Sequence, residues 1–229
     1  MRLSVITPVY NEEQALPAYL DAAVGWDCVS ELLFVDGGST DATLDMLDGL
    51  DVLHSEKGRG PQCRLGAQQA TGDAFVFVHG DSVVPPESMR AIHRALEDGV
   101  RWGCLSLRFT KNTPDRIVGW WTANARVRFS GVPFGDQTIF LTREIYEAVG
   151  GMPALPIMED YELSRRLKTI CPPKQLRQKV YTSPRRFESG GNIRTMVQMR
   201  HLRHLYRTGT PIDEIARRYG EGRHEHGRS

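Results

Sequence analysis

Cysteine is scarce in this sequence. There are four, Cys28, Cys63, Cys104 and Cys171, and no two form a CxxC pair. That scatter excludes a zinc ribbon or a disulfide frame and suits reduced, intracellular thiols. No run reaches the roughly 20 apolar residues of a membrane span. Met1-Arg2-Leu3 enters a strand pattern directly, without the layout of a secretory leader. The expectation is a soluble, cytoplasmic protein whose membrane contact, if any, is peripheral. A strong net charge is also missing. The formal balance is +1, which provides no broad field for nucleic acid. A GxGxxG fingerprint and internal repeats are absent, so a dinucleotide site or a solenoid is not supported.

What is present is enough apolar residue for a real core, 40% of 229 residues. The length suits one large domain, or one domain with a C-terminal appendage. The balanced charge hides an asymmetry. From Pro184 onward there are ten arginines against five acids.

The stretch Arg59–Asp81 organises the reading. Pro61 suits the first turn of a helix, Gly72-Asp73 stops it, and Ala74–Val78 is a short apolar run typical of a doubly covered strand. His79-Gly80-Asp81 follows that strand. Ligands of open α/β sheets bind at the carboxyl ends of strands, and a carboxylate beside a glycine suits a divalent cation and a phosphate there. Upstream, Leu3–Thr7, Glu31–Val35 and Asp51–His54 read as strands. Helices are expected over Glu12–Val24 and from a Ser39 or Thr40 cap to Leu50. The first 80 or so residues thus alternate strand and helix, the pattern of a parallel sheet wrapped by helices.

Downstream, helices are expected from Pro86 to Asp98, over Pro114–Phe129, Glu144–Val149, and from Met158 to Thr169. Strands are expected over Cys104–Phe109, Gln137–Leu141 and Lys179–Thr182. Trp120 and Trp121 suit either core or an acceptor platform. Helices over Ile193–Arg207 and Pro211–Tyr219 close the chain, ahead of a Gly-, His- and Arg-rich tail expected to be disordered.

Several side chains carry chemistry. Pro8, Tyr10, Glu12 and Asp36 sit at the ends of the first two strands, where Asp36 can accept a uracil N–H and Glu12 can hold ribose hydroxyls. Asp36 and Asn11 equally suit turns and caps. Arg64 can stack on a base or reach a phosphate, or simply be a surface arginine. Asp81 is the best metal candidate, with His79 either a second ligand better suited to Mn²⁺ than to Mg²⁺ or a strand-end histidine making an ordinary hydrogen bond. Asp160, in Glu159-Asp160, suits a general base or a helix cap. Asp136 lines the same pocket or forms a turn. Arg185 and Arg186, on a glycine-flanked loop, suit a diphosphate leaving group or a solvated basic loop.

Taken in order, these pieces resemble a known family. Ile6-Thr7-Pro8-Val9-Tyr10-Asn11-Glu12-Glu13 and Val35-Asp36-Gly37-Gly38-Ser39-Thr40-Asp41 look like the start of family 2 glycosyltransferases of GT-A fold. Gly58–Gln62, Phe77–Ser82, Pro133–Gln137, Met158–Leu163 and Thr182–Arg186 resemble the small, soluble bacterial branch labelled transferase 2, rSAM/selenodomain-associated. The resemblance covers residues 1–219. It implies an α/β GT-A domain over residues 1–190, with a nucleotide-binding half over 1–82 and an acceptor half over 83–190. C-terminal helices over 191–219 and a tail over 220–229 follow.

The resemblance also implies a nucleotide-diphosphate-sugar donor, a divalent metal (Mn²⁺ or Mg²⁺) and inversion at the anomeric carbon. By motif position Pro8, Glu12, Asp36 and Arg64 hold the nucleotide, with Tyr10 and Gly80 beside it. Asp81 matches the last carboxylate of the family's Asp-x-Asp metal motif, and Asp160 the catalytic base. Asp136, Glu159, Arg185 and Arg186 fall near diphosphate and acceptor. One departure stands out, because His79 occupies the place of the first Asp. The acceptor is a small molecule or a lipid-linked group. The basic helix Ile193–Arg207 is a candidate for peripheral membrane contact or for packing on the domain. A non-catalytic nucleotide-sugar or lipid-binding module and a nucleotidyltransferase are the rival readings.

Overall fold

The computed structural model describes residues 1–109, 113–182 and 192–224. Strands β1 (Leu3–Val9), β2 (Glu31–Asp36), β3 (Val52–His54) and β4 (Ala74–Phe77) alternate with helices α1 (Leu16–Ala23), α2 (Thr43–Met46) and α3 (Arg59–Gln69). All pairings among these four strands are parallel, in the order β3-β2-β1-β4. The remaining strands are β5 (Ser82–Val83), β6 (Trp102–Phe109), β7 (Ile139–Thr142) and β8 (Lys174–Thr182). They extend the sheet as β4-β7-β6-β8-β5. Here β7 runs antiparallel to β4 and β6, β8 runs parallel to β6, and β5 runs antiparallel to β8. Helices α4 (Pro86–Glu97), α5 (Pro114–Ser130), α6 (Arg143–Ala148) and α7 (Glu159–Ile170) cover the sheet, and α8 (Asn192–Arg207) and α9 (Ile212–His224) follow.

Alternation along the strands builds two cores, one per face. Leu3, Val5, Val9, Ala74 and Val76 point to the side of Tyr19, Trp26, Met89 and Ile92. Ile6, Val35, Phe75 and Phe77 point to the side of Cys63, Ala67, Leu163 and Leu167. A third, smaller core joins Ile157 and Met158 to Leu202 of α8 and Ile215 of α9. The C-terminal helices therefore pack on the domain. All four cysteines are free.

Several expected boundaries shift for local reasons. The first helix begins at Leu16, not Glu12, because Asn11 adopts a left-handed backbone at φ 54° and Glu12–Ala15 form a turn. The second helix is a single turn, Thr43–Met46. Neither Ser39 nor Thr40 caps it. Asp41 takes the Thr43 N–H, while Ser39 Oγ accepts from Asn11. The last strand starts at Lys174, five residues early, its exposed edge hiding the apolar alternation. The strand β5 and a 3-10 turn at Gly135–Gln137 were not expected. The final helix runs to His224 rather than ending at Tyr219, and residues 225–229 of the expected tail lie outside the described residues.

One side chain ties the parallel strands where they diverge. The buried Gln62 Nε2 donates to the Val9 carbonyl at 2.8 Å and the Val35 carbonyl at 2.6 Å. Gly37 lies directly against it, with space at 3.1 Å where a Cβ would begin to crowd. Gln62→Leu, which keeps the volume but leaves both carbonyls unpaired, is expected to lower unfolding free energy by about 2–4 kcal/mol in urea titrations.

Candidate active site

The crevice opens where β1 and β2 leave the sheet. Asp36 is almost wholly buried at 1% exposure and builds its own turn. Its Oδ2 accepts the Gly38 N–H at 2.8 Å, and Ser39 N–H reaches both oxygens at 3.1 Å. Gly38 has φ 87°, a backbone that glycine adopts without strain. The neighbouring loop is stitched on by Asn11, whose N–H donates to Ser39 Oγ and whose Oδ1 accepts from Thr40. Glu12 N–H donates to Thr43 Oγ1 at 2.8 Å. Tyr10 is exposed, with Lys57 Nζ 3.8 Å above its ring centre. His54 Nδ1 lies 3.8 Å from Asp36 Oδ2. Pro8, Tyr10, Glu12 and Asp36 thus share one edge of the sheet.

The end of β4 packs onto that edge. A Cβ at Gly80 would stand 3.1 Å from Val9 Cγ1 and 3.3 Å from Glu12 Cγ, so the glycine permits the approach. His79 is buried, and the ring edge carrying Nε2 rests on Gly135, 2.5 Å from where a Cβ would be. The Gly135 N–H donates to Asp160 Oδ2 at 2.7 Å, and Asp160 Oδ1 accepts the Tyr161 N–H at 2.6 Å. Asp160 stands in the first turn of α7, where a carboxylate is favoured by the helix dipole. That helix starts from Met158 at φ 68°, a left-handed residue locked by the third core.

Charge in this pocket is concentrated. Burial, then the Asp160 charge, pushes Glu159 well above the ordinary carboxylate range. Burial, with Asp160 and Asp81 adding repulsion, pushes Asp136 up to about 6 despite Arg126 and Arg59. Asp136 Oδ1 is sealed from solvent and has no hydrogen-bond partner. Burial, then the Arg59 charge, holds His79 well below its ordinary value, so the ring is neutral. Burial works against the Arg59 charge, but Glu159, Asp81 and Asp160 outweigh it. Arg126 is lowered to about 10 by burial, opposed by Asp136. It stacks 3.5 Å above Phe134 and donates to Gln137 Oε1 at 2.9 Å. Arg203 of α8 also lies over Phe134, at 5.0 Å, with Asp160 among the charges acting on it.

The structure therefore gathers His79, Gly80, Asp81, Asp136, Glu159 and Asp160 in one pocket next to the Pro8–Asp36 crevice. Arg64 is not brought there. It is exposed on α3, and its charge acts on Tyr146. The arginine facing the carboxylates is Arg59, five residues earlier and so about 140° around the helix. Its signal was available, since a cation in a helix's first turn opposes the dipole. Arg126, Arg203 and Lys57 carried no comparable motif. Trp120 stacks under Arg108 at 3.2 Å and Trp121 faces outward, so neither forms a platform at these carboxylates. Arg185 and Arg186 lie outside the described residues. Among the described residues no three His, Cys, Asp or Glu side chains are grouped to hold a metal.

This sheet order, with its crevice at the β1, β2 and β4 ends, is the GT-A fold. The structure of TarS 1-349 of S. aureus superposes with a TM-score of 0.61 at 21% identity, over 82% of this chain and 62% of that one. Mannosyltransferase PcManGT from Pyrobaculum calidifontis, in complex with GDP-Man and Mn²⁺, gives 0.62 at 19% identity over 89% and 61%. Glucosyl-3-phosphoglycerate synthase from Mycobacterium tuberculosis, with Mg²⁺ and UDP, gives 0.60 at 18% over 92% and 80%. The sequence matches the profile described as Glycosyl transferase family 2 over residues 4–150. The chain belongs to glycosyl transferase family 2. A curated relative, undecaprenyl-phosphate 4-deoxy-4-formamido-L-arabinose transferase of Serratia proteamaculans, is 29% identical over 113 residues. That match spans 43% of this chain and 34% of the relative, so the chain spans about a third of the length of the curated relatives it matches.

The raised Asp136 sets a pH signature for stability. A carboxyl whose folded pKa lies above its unfolded 3.8 contributes fully below that value, and the contribution is lost as pH rises through about 6. Asp136→Asn is therefore expected to stabilise the fold by roughly 1–3 kcal/mol near pH 8, with the gain vanishing near pH 4, as followed by thermal unfolding.

Proposed function

We propose that the protein transfers a sugar from a nucleotide-diphosphate donor to an acceptor hydroxyl with inversion, using Asp160 as general base. The observation that carries this is the Gly135–Asp160 contact. It holds one carboxylate oxygen by a backbone N–H, in the same pocket as Asp81 at the β4 end. The donor base lies over the Pro8–Glu12 and Asp36–Ser39 loops. A carboxylate has about four acceptor positions, and the Asp36 turn bonds leave one for a uracil N–H. Glu12 holds the ribose. A UDP-sugar is favoured, in keeping with the UDP and UDP-GlcNAc complexes among the fold neighbours, although PcManGT carries GDP-Man.

Asp160 takes the proton of the acceptor hydroxyl. The oxygen then attacks the anomeric carbon as the bond to the diphosphate breaks on the opposite face. Arg59 meets the charge that grows on the departing nucleoside diphosphate. Arg185 and Arg186 are assigned to the same task by sequence position. Asp136 and Glu159 line the acceptor side.

A divalent cation fits the donor set at the β4 end in one form. Asp81 and the neutral His79 supply at most two ligands, and substrate phosphates and water complete the shell, as is usual for Mg²⁺ and Mn²⁺. When bound, the ion neutralises diphosphate charge. The Mn²⁺ and Mg²⁺ complexes of the fold neighbours support this choice. The undecaprenyl-phosphate relatives support a lipid-linked acceptor alongside small molecules.

Asp160→Asn is expected to lower transfer roughly 100- to 10,000-fold while donor affinity is retained, measured by nucleotide release and donor titration. Transfer at the wild-type rate would remove Asp160 from the base role. Asp81→Ala is expected to weaken Mn²⁺-dependent nucleotide-sugar binding by roughly ten-fold or more, read by thermal shift with and without the ion.

A further inference from the structure

Helix α5 turns its apolar side outward. Ile117 is 45% exposed, Val118 54%, Trp121 62% and Phe129 84%. At about 100° per residue these four fall within one stripe about 120° wide, together with Ala125 and Arg128. The stripe is not a helix left free to roll. On the inner side Ala123 and Val127 are buried, and Asn124 accepts the Leu107 N–H and donates to the Leu107 carbonyl at 2.9 and 3.1 Å.

Beside this stripe, α8 packs on α5. It presents Val197, Arg200, His201, His204 and Arg207 to solvent, and Asn192–Arg207 contains no acidic residue. Exposed aromatic and aliphatic side chains flanked by arginines are the composition of an interfacial helix pair: the rings enter the headgroup boundary and the guanidinium groups meet anionic lipid. A second copy docking symmetrically through this face would bring two arginine-bearing surfaces together, like charge toward like. The same two helices send Arg126 and Arg203 inward to the carboxylate pocket.

We propose that the α5–α8 face is a docking surface for an anionic lipid bilayer, with Trp121 and Phe129 as the inserting side chains and Arg200 and Arg207 as the headgroup contacts. Docking moves the membrane contact expected of the basic helix onto α5 as well. It does not depend on the transfer reading, because vesicle binding is measured without any sugar donor.

The test is co-sedimentation of the full chain with vesicles of equal parts phosphatidylglycerol and phosphatidylcholine, and with phosphatidylcholine alone. The wild-type protein is expected to partition onto the anionic vesicles at least about ten-fold more strongly than onto neutral ones, and less at high salt. Trp121→Ser with Phe129→Ser, and separately Arg200→Glu with Arg207→Glu, are expected to cut that partition about ten-fold each. Because the substituted side chains are exposed, thermal unfolding of each variant should match wild type. Wild-type protein that stays in the supernatant with anionic vesicles, or variants that sediment as wild type does, would overturn the proposal. So would a lipid-free dimer, seen by light scattering, that Trp121→Ser with Phe129→Ser dissociates. That result assigns the face to a second copy.

Discussion

Gly135 is the constraint on which the pocket depends. Its missing side chain leaves room for the His79 ring, and its N–H holds Asp160. Three segments distant in sequence meet there: the exit of β4, the 3-10 turn before β7 and the first turn of α7. A methyl group at this point would stand 2.5 Å from His79 Nε2 and 3.3 Å from Asp160 Oδ2. Both side chains would have to move, and the carboxylate pocket would lose its shape. The chemistry of the site therefore rests on an absent atom.

The second organising force is charge. The parallel half of the sheet contributes Arg59 and Asp81. The antiparallel half contributes Asp136, Glu159 and Asp160. Burial, and then repulsion from neighbouring carboxylates, is why Asp136 and Glu159 hold protons more tightly than free carboxyls. Arg59 and Arg126 partly offset this. Gly60 seats Arg59 where it is needed, since a Cβ there would meet the Pro153 and Leu155 carbonyls at 2.6 Å. The start of α3 and the loop before α7 can approach only because that position has no side chain. A pocket so arranged carries a cost, since its carboxyl groups are desolvated and only partly offset by arginine.

The parallel half was legible because its signals are local. Leu3–Val9 and Ala74–Phe77 are short apolar runs at βαβ spacing, and their registers follow from burial on both faces. Asp36, His79, Asp81 and Asp160 could be picked out because each follows a strand or starts a helix, and strand ends and helix starts are where ligands bind. The antiparallel half was harder. Lys174–Thr182 hides its strand because most of its side chains reach solvent, and the Gly135–Gln137 turn has no periodicity to read. Arg64 was singled out and Arg59 was not, because the rotation of α3 about its axis is set by Cys63, Gly66 and Ala67 packing on Ile6 and Val35.

By itself the sequence determined the order of most strands and helices, the crevice at the β1 and β2 exits, and the acidic side chains that stand at strand ends and helix starts. Those are properties of spacing, and spacing is written along one chain. Only the tertiary structure decided that Arg59 rather than Arg64 faces the carboxylates, that Asp136 Oδ1 is sealed without a hydrogen bond, and that α5 shows its apolar stripe to solvent. Each of these depends on which face of an element another element covers. That choice is made by packing between residues far apart in the chain, and no local pattern records it.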